Sequence, residues 1–374
     1  MGKPRIVLVV GTRPEAIKVA PVVQEFRRFS EVETILVSTG QHREMLATAL
    51  GAFDLEPDED LAIMQHGQTL AQVTARAIEG LDRLLAKHQP AMVLAQGDTT
   101  TTFVAALNSF YRQIPFGHIE AGLRTDTIDN PFPEEFNRRA ASLVTKLHFP
   151  PTQWSADNLA KEGHQNLYVT GNTGIDAVIQ MGQKPTTHWF PEWEGRVALL
   201  TTHRRENWGD PQRQIAQAAL RLLNDFEDVL LVVPMHKNPA VRETLTGVLG
   251  NHDRVRLIEP PDYNDFVPLM KRSHLILSDS GGVQEEAPAF GIPVLVLRDT
   301  TERPEGCDAG TAKLVGTDEN KIYSEAQQLL SDQTAHEKMA KAVSPYGDGL
   351  ASARIRYVVL KDLGIESPEV AMWT

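Results

Sequence analysis

The chain has one cysteine, Cys307, in 374 residues. It cannot form an internal disulfide, and a reducing compartment is the natural expectation. No apolar run approaches the ~20 residues that a membrane-spanning helix requires. The opening MGKPRIVLVVGTRPE is too briefly apolar for a secretory signal and moves straight into a strand-like run. A cytoplasmic protein is expected. Positive charge is also scarce: 37 Lys and Arg against 49 Asp and Glu give a formal net charge of −12. That balance argues against nucleic acid or an anionic membrane as the main partner. It does not exclude a polyphosphate ligand, because a few Arg and Lys in one cleft outweigh a diffuse acidic surface locally. No H-x-x-x-H or C-x-x-C spacing points to a metal. No strand is followed by G-x-G-x-x-G, the dinucleotide fingerprint. No cofactor is therefore expected, and Cys307, without a Cys or His partner pattern nearby, reads as incidental.

What the chain does have is alternation. Strand-like runs near Ile6–Val10, Thr34–Ser38, Met92–Ala95, Phe116–Ile119 and Leu147–Phe149 are separated by helical patterns at Ala16–Phe29, Leu70–Lys87 and Thr102–Tyr111. Leu70, Val73, Ala77, Leu81, Leu84 and Leu85 keep helical spacing and read as core. Residues 182–195, with Pro185, His188, Trp189, Pro191 and Trp193, show no period. A second series follows, with strands near Val197–Leu200, Leu230–Val233, Val255–Ile258, Leu275–Leu277 and Val294–Leu297. Two such series predict two doubly wound α/β domains with ligands at the carboxyl ends of the strands, converging on one interdomain cleft. The last helical pattern, Ala351–Leu363, fits either domain.

The most informative motif is LILSDSGGVQEEAPAFGIPVLVLRDTTERPEG, from Leu275 to Gly306. An apolar strand stops at Ser278-Asp279, and Ser280-Gly281-Gly282 open a short helix carrying Glu285 and Glu286. Such a turn points N–H groups at a phosphate. The acid one turn in could accept from a ribose, and Arg303 can meet phosphate charge. A buried turn with glycines for tight packing is the alternative. Near the N-terminus, Gly11-Thr12-Arg13-Pro14-Glu15 opens a helix with Lys18 one turn in. A cation there opposes the helix dipole, so either an anionic ligand or a neighbouring side chain must balance it. Asp98, at a strand end before Thr99, is a helix cap or a catalyst. Glu120 follows the next strand, and Glu134 and Glu135 sit in a first helical turn, where they suit the dipole. Asp98, Glu120 and Glu134 on one sheet edge would raise one another's pKa, which suits proton transfer near neutral pH. His203-Arg204-Arg205 after the second domain's first strand reads as a phosphate clamp, the electrophilic side of a catalytic site, or an ion-pair cluster with Glu206. His236-Lys237 repeats that strand–basic loop–helix pattern.

In order along the chain, GTRPEAIKVAPV, TGQHREML, QGDTTTT, GHIEAGLRT, PFPEEFNRR, VTGNTGIDA, HRREN and the Leu275–Gly306 motif resemble the bacterial non-hydrolysing UDP-N-acetylglucosamine 2-epimerases. The resemblance implies a GT-B-like fold of two Rossmann-type domains, residues 1–170 with 351–374 and residues 171–350, with the C-terminal helix crossing back to the first. It implies a homodimer that interconverts UDP-GlcNAc and UDP-ManNAc and supplies ManNAc for cell-surface polysaccharides. By motif, Asp98, Glu120, Glu134 and His203 would form the catalytic set, with Arg13 and Lys18 facing substrate. Ser280, Gly281, Gly282 and Glu286 would hold diphosphate and ribose, and Arg303 and Phe266 would line the UDP site. Gln41, His42, Gln68, Arg205 and His236 match parts of a regulatory UDP-GlcNAc site. Two departures touch that pattern: Gly67 stands where relatives often carry Arg, and Pro261 replaces a more usual polar residue. A GT-B glycosyltransferase and a non-catalytic sugar-nucleotide sensor are the rival readings.

Overall fold

The computed structural model describes residues 2–40, 43–65, 67–125, 127–183, 189–301 and 303–374. The chain divides into two compact units, Met1–Ala177 with Tyr346–Thr374, and Val178–Pro345. The first holds six parallel strands: β1 (Arg5–Val10), β2 (Glu33–Ser38), β3 (Glu59–Asp60), β4 (Met92–Gln96), β5 (Phe116–Ile119) and β6 (Leu147–Phe149), ordered β3-β2-β1-β4-β5-β6. β1 reads RIVLVV and is buried from Ile6 to Val10. A continuous apolar run is what a strand covered on both faces requires. The helix Leu70–His88 covers one face through Val73, Ala77, Leu81, Leu84 and Leu85.

The second unit repeats the plan with β7 (Arg196–Thr201), β8 (Val229–Pro234), β9 (Val255–Ile258), β10 (Leu275–Ser278), β11 (Val294–Val296) and β12 (Ala312–Leu314), ordered β12-β11-β10-β7-β8-β9. In both sheets the order reverses beside the unit's first strand, between β1 and β4 and between β7 and β10. Loops diverge there and leave a crevice at the carboxyl ends of the strands. β3 and β12 are not evident in the sequence, being two and three residues long and carrying charged side chains. Pro185 and His188 of the aperiodic segment lie outside the described residues. Among the described residues, no helix is long and apolar enough to cross a membrane.

The last helix, Ala351–Asp362, packs on the helix Arg13–Arg27 in the first unit. Its start is held by Asp176, whose carboxylate accepts the N–H of Ser352 at 2.7 Å and of Ala351 at 3.2 Å. Burial pushes the Asp176 carboxyl up from 3.8 to about 6, against the pull of these bonds. A carboxyl that holds its proton more tightly when folded stabilises the folded chain fully below the unfolded value, and that contribution is lost as pH rises through the folded one. The advantage of wild type over Asp176→Asn should therefore shrink by about 3 kcal/mol between about pH 3 and about pH 7. Melting curves of both proteins across that range read it; a constant difference would refute it.

Candidate active site

In the first unit, the turn after β1 is fastened to the turn after β4 by Glu15. This side chain is 2% exposed. One of its oxygens accepts the N–H of Gly11 at 2.8 Å and of Thr12 at 2.6 Å, and the other accepts the Thr99 hydroxyl at 2.5 Å. Burial raises its pKa, with those bonds pulling the other way. Gly11 is needed here, because a Cβ would lie 2.1 Å from the Thr101 hydroxyl oxygen. Glu15 looks in the sequence like ordinary first-turn charge, and only the fold brings Thr99 to it.

Lys18 donates to Glu120 at 2.6 Å, and the Gln96 amide reaches the same oxygen at 2.5 Å. The cation at the helix start is thus balanced by a carboxylate from the end of β5. Glu120 has φ +60°, an uncommon conformation for a side chain of this size, costing about 1–3 kcal/mol. Asp98 is not a helix cap. That position is Thr99, whose hydroxyl accepts the Thr102 N–H at 3.4 Å. Asp98 instead holds Arg138, with Nε at 2.9 Å and Nη2 at 2.6 Å on one oxygen. Of the two acids that open the helix Glu134–Ser142, Glu135 is buried between Arg138 (3.2 Å) and Arg139 (2.8 Å). Glu134 is half-buried and bonds no described side chain. Arg13, also half-buried, likewise makes no side-chain bond among the described residues. The expected crowding of like charges is answered by interleaved cations, Lys18 and Arg138.

His118, overlooked in the motif GHIEAG, is completely buried, and its Nε2 meets the carbonyl of Gly97 at 2.7 Å. A carbonyl only accepts, so Nε2 carries the hydrogen. Burial lowers the ring's pKa to about 4. It is a neutral strut beneath the turn that presents Asp98.

In the second unit, Arg303 lies against Gly281, where a Cβ would stand 2.6 Å from Nη1. Its Nε donates to the buried Glu285 at 2.5 Å. Glu285 therefore fixes the arginine, and Glu286 beside it is half-buried. Gly282 is exposed, and a Cβ there would meet only the Ser280 Oγ, 4.0 Å away. Ser280 is the helix cap residue but makes no side-chain cap bond. Phe266 is half-buried in the helix Tyr263–Arg272. His203 follows β7 with Nδ1 3.0 Å from the buried Asp279. Its ring stacks on His236 at 6.4 Å, a pairing that residues 33 positions apart do not announce. Glu206 is drawn away from this basic loop by Arg298 at 2.6 Å, leaving Arg205 exposed. The ion-pair cluster with Glu206 is thus not what forms.

Gln68 spends its side chain on its own loop, accepting from Gln65 N–H at 2.7 Å and donating to Ile63 carbonyl at 3.0 Å. Gly67 beside it has φ +74°, which favours glycine. Gln41 and His42 lie outside the described residues.

Residues 24–360 match the family model described as UDP-N-acetylglucosamine 2-epimerase. The chain belongs to the UDP-N-acetylglucosamine 2-epimerase family. It is 50% identical over 359 residues to the UDP-N-acetylglucosamine 2-epimerase of Bacillus subtilis (strain 168), covering 95% of this chain and 94% of that protein. The Neisseria meningitidis UDP-GlcNAc 2-epimerase, solved bound to UDP-GlcNAc, is 45% identical with a TM-score of 0.85, over 96% of this chain and 100% of that one. S. aureus MnaA, solved with UDP, is 42% identical with a TM-score of 0.87, over 99% and 100%. The epimerase family's α/β fold, GT-B-like with two Rossmann-type units, is the fold of this chain.

Glu15→Ala strips the Gly11, Thr12 and Thr99 donors of their acceptor in a buried place. It should cost about 2–4 kcal/mol of stability, read as a lowered urea midpoint. An unchanged midpoint would show that Glu15 does not bind the two loops together.

Proposed function

We propose that the chain is a non-hydrolysing UDP-N-acetylglucosamine 2-epimerase, an isomerase that interconverts UDP-GlcNAc and UDP-ManNAc. The observation that carries this reading is the pair Asp98 and Glu120, held by cations at the ends of the neighbouring strands β4 and β5. A binding protein has no need of proton-transfer groups so placed, and a transferase needs one base for its acceptor hydroxyl where an epimerase needs groups that both remove and return a proton.

The sugar's C2 proton is not acidic while the substrate is intact. When the C1–O bond breaks, its electron pair leaves with UDP, and C1 gains oxocarbenium character. That makes the C2 proton labile, and a carboxylate takes it, giving 2-acetamidoglucal. Return of UDP to C1, with a proton delivered to the opposite face of C2, inverts that centre. Every step is redox-neutral, so no nicotinamide is required. Asp98, Glu120 and Glu134 supply the acid and base groups, with Lys18 and Arg13 beside them on the first unit. Ser280, the N–H groups of Gly281 and Gly282, Arg303, Glu286 and Phe266 hold UDP on the second, and His203 acts on the leaving diphosphate. In this reading residues 1–170 with 351–374 carry the carboxylates and residues 171–350 the nucleotide.

The working form is a cytoplasmic homodimer. Its support as a dimer is the exposure of large apolar side chains on the first unit, including Phe110, Tyr111, Phe132, Phe136 and Leu143. The product supplies ManNAc units for cell-surface polysaccharide. Gln41, His42, Gln68, Arg205 and His236 would form a second, regulatory UDP-GlcNAc site, in which the Gln68 side chain must first release its own loop.

Incubation with UDP-GlcNAc in deuterated water tests the reaction. NMR should show UDP-ManNAc appearing with deuterium at C2. No product and no exchange would refute the proposal, and sugar transfer only when an acceptor is added would favour the glycosyltransferase. Asp98→Asn and Glu120→Gln should each abolish turnover while UDP still binds; an undiminished rate would remove that residue from the mechanism. Gly282→Ala has room in the folded chain and should leave melting within about 1 kcal/mol. It should raise KM for UDP-GlcNAc about tenfold, a loss of about 1.4 kcal/mol; an unchanged KM would place the diphosphate elsewhere.

A further inference from the structure

Asp279 closes β10 with its side chain fully enclosed. A buried carboxylate is tolerated only where donors replace water. Here they come from the loop after the neighbouring strand β7. One oxygen accepts the N–H of His203 at 2.9 Å, the N–H of Arg204 at 3.0 Å, the Thr202 hydroxyl at 3.1 Å and the Asn207 amide at 3.0 Å. The other accepts the His203 N–H at 3.1 Å and stands 3.0 Å from the His203 ring Nδ1. Burial works to raise this carboxyl's pKa, but the His203 ring and the backbone donors outweigh it and hold it below the ordinary value. Asp279 is therefore a fixed negative charge beneath a basic loop.

An ionised carboxylate can only accept, so Nδ1 of His203 must carry a hydrogen. Whether the ring is neutral or positive, Nε2 is then the nitrogen left for other work, on a side chain 44% exposed. Asn207 donates both to Asp279 and to the Leu297 carbonyl at 3.1 Å. The ring's orientation is thereby tied to the ends of β7, β10 and β11 together.

We propose that Asp279 is a positioning residue of the epimerisation, fixing His203 in the form protonated at Nδ1 so that Nε2 faces the departing diphosphate. Its negative charge balances the ring whenever Nε2 is also protonated. This inference rests on the reading of His203 as a group that acts on the UDP-sugar.

Two measurements on the full-length chain test it. Nitrogen-15 NMR of histidine-labelled protein, with the His203 signals identified by their loss in His203→Gln, reports which ring nitrogen carries the hydrogen. A protonated Nδ1 is expected in the wild type, and a ring protonated at Nε2 alone overturns the proposal. In Asp279→Asn the amide can turn a donor towards Nδ1, so the ring should switch to the Nε2–H form. There kcat should fall by about 100- to 10,000-fold, the scale of a histidine held in the wrong tautomer. KM for UDP-GlcNAc should stay within about threefold, since this change affects orientation more than binding. An unaltered kcat overturns the proposal, as does a fall in kcat with no change of tautomer. Should Asp279→Asn fail to fold, the wild-type tautomer decides alone. A wild type that does not epimerise would defeat the functional reading without altering the tautomer result, so the two failures are distinguishable.

Discussion

A parallel sheet covered by helices on both faces has room for polar side chains only at the ends of its strands. That constraint governs both units, and it is sharpest where the strand order reverses, because two loops part there and must be held at a set distance. Each unit meets it in the same way, with one buried carboxylate. In the first, Glu15 follows β1 and reaches the loop after β4. In the second, Asp279 follows β10 and reaches back to the loop after β7. The two residues sit on opposite sides of their reversals, yet each binds a pair of consecutive N–H groups and at least one hydroxyl. Buried charge is costly unless it is fully paired. Once paired, it sets loop geometry more tightly than apolar packing would, because every bond has a direction.

The same logic of paired charge runs outward from these latches. A chain with a net charge of −12 pairs several of its strand-end cations with carboxylates: Lys18 with Glu120, Arg138 with Asp98, Arg303 with Glu285. Such pairs orient groups before any ligand arrives, which lowers the ordering cost of binding. Glu134, like Arg13, has no side-chain partner among the described residues. On the proposed reading that suits an acid that must gain and lose a proton during the cycle.

The α/β plan was legible because runs such as RIVLVV and LILS announce strands covered on both faces, and because their alternation with helices leaves one economical connection. β3 and β12 were not, since two or three residues with charged side chains carry no period. At the strand ends, sequence identified the loops but not the pairings inside them. Asp98 followed by threonines reads as a cap or a catalyst, and only the fold shows Thr99 as the cap and Asp98 facing Arg138. Asp279 lies inside the most informative motif of the chain, yet nothing local marks it as the partner of a histidine 76 residues earlier. Glu285 and Glu286 are adjacent and alike, and nothing local marks Glu285 as the acid that accepts the Arg303 Nε from 18 residues later. Pairings across strands are tertiary facts, and a local pattern cannot contain them.

The two glycines of Ser280-Gly281-Gly282 separate what the protein needs for itself from what a ligand would ask of it. At Gly281 the reason is internal, because the Arg303 guanidinium occupies the space a Cβ would take. At Gly282 no such reason exists: the residue is exposed, its φ is not left-handed, and the nearest atom to a Cβ is 4.0 Å away. A glycine at a helix start is also slightly unfavourable compared with alanine. Internal packing and backbone conformation therefore leave Gly282 unexplained, whereas close approach by a group outside the chain explains it. Beside it lie a serine hydroxyl not spent on capping and an arginine already aimed by Glu285. On the proposed reading that group is the diphosphate, whose size, charge and acceptor geometry suit all three neighbours at once.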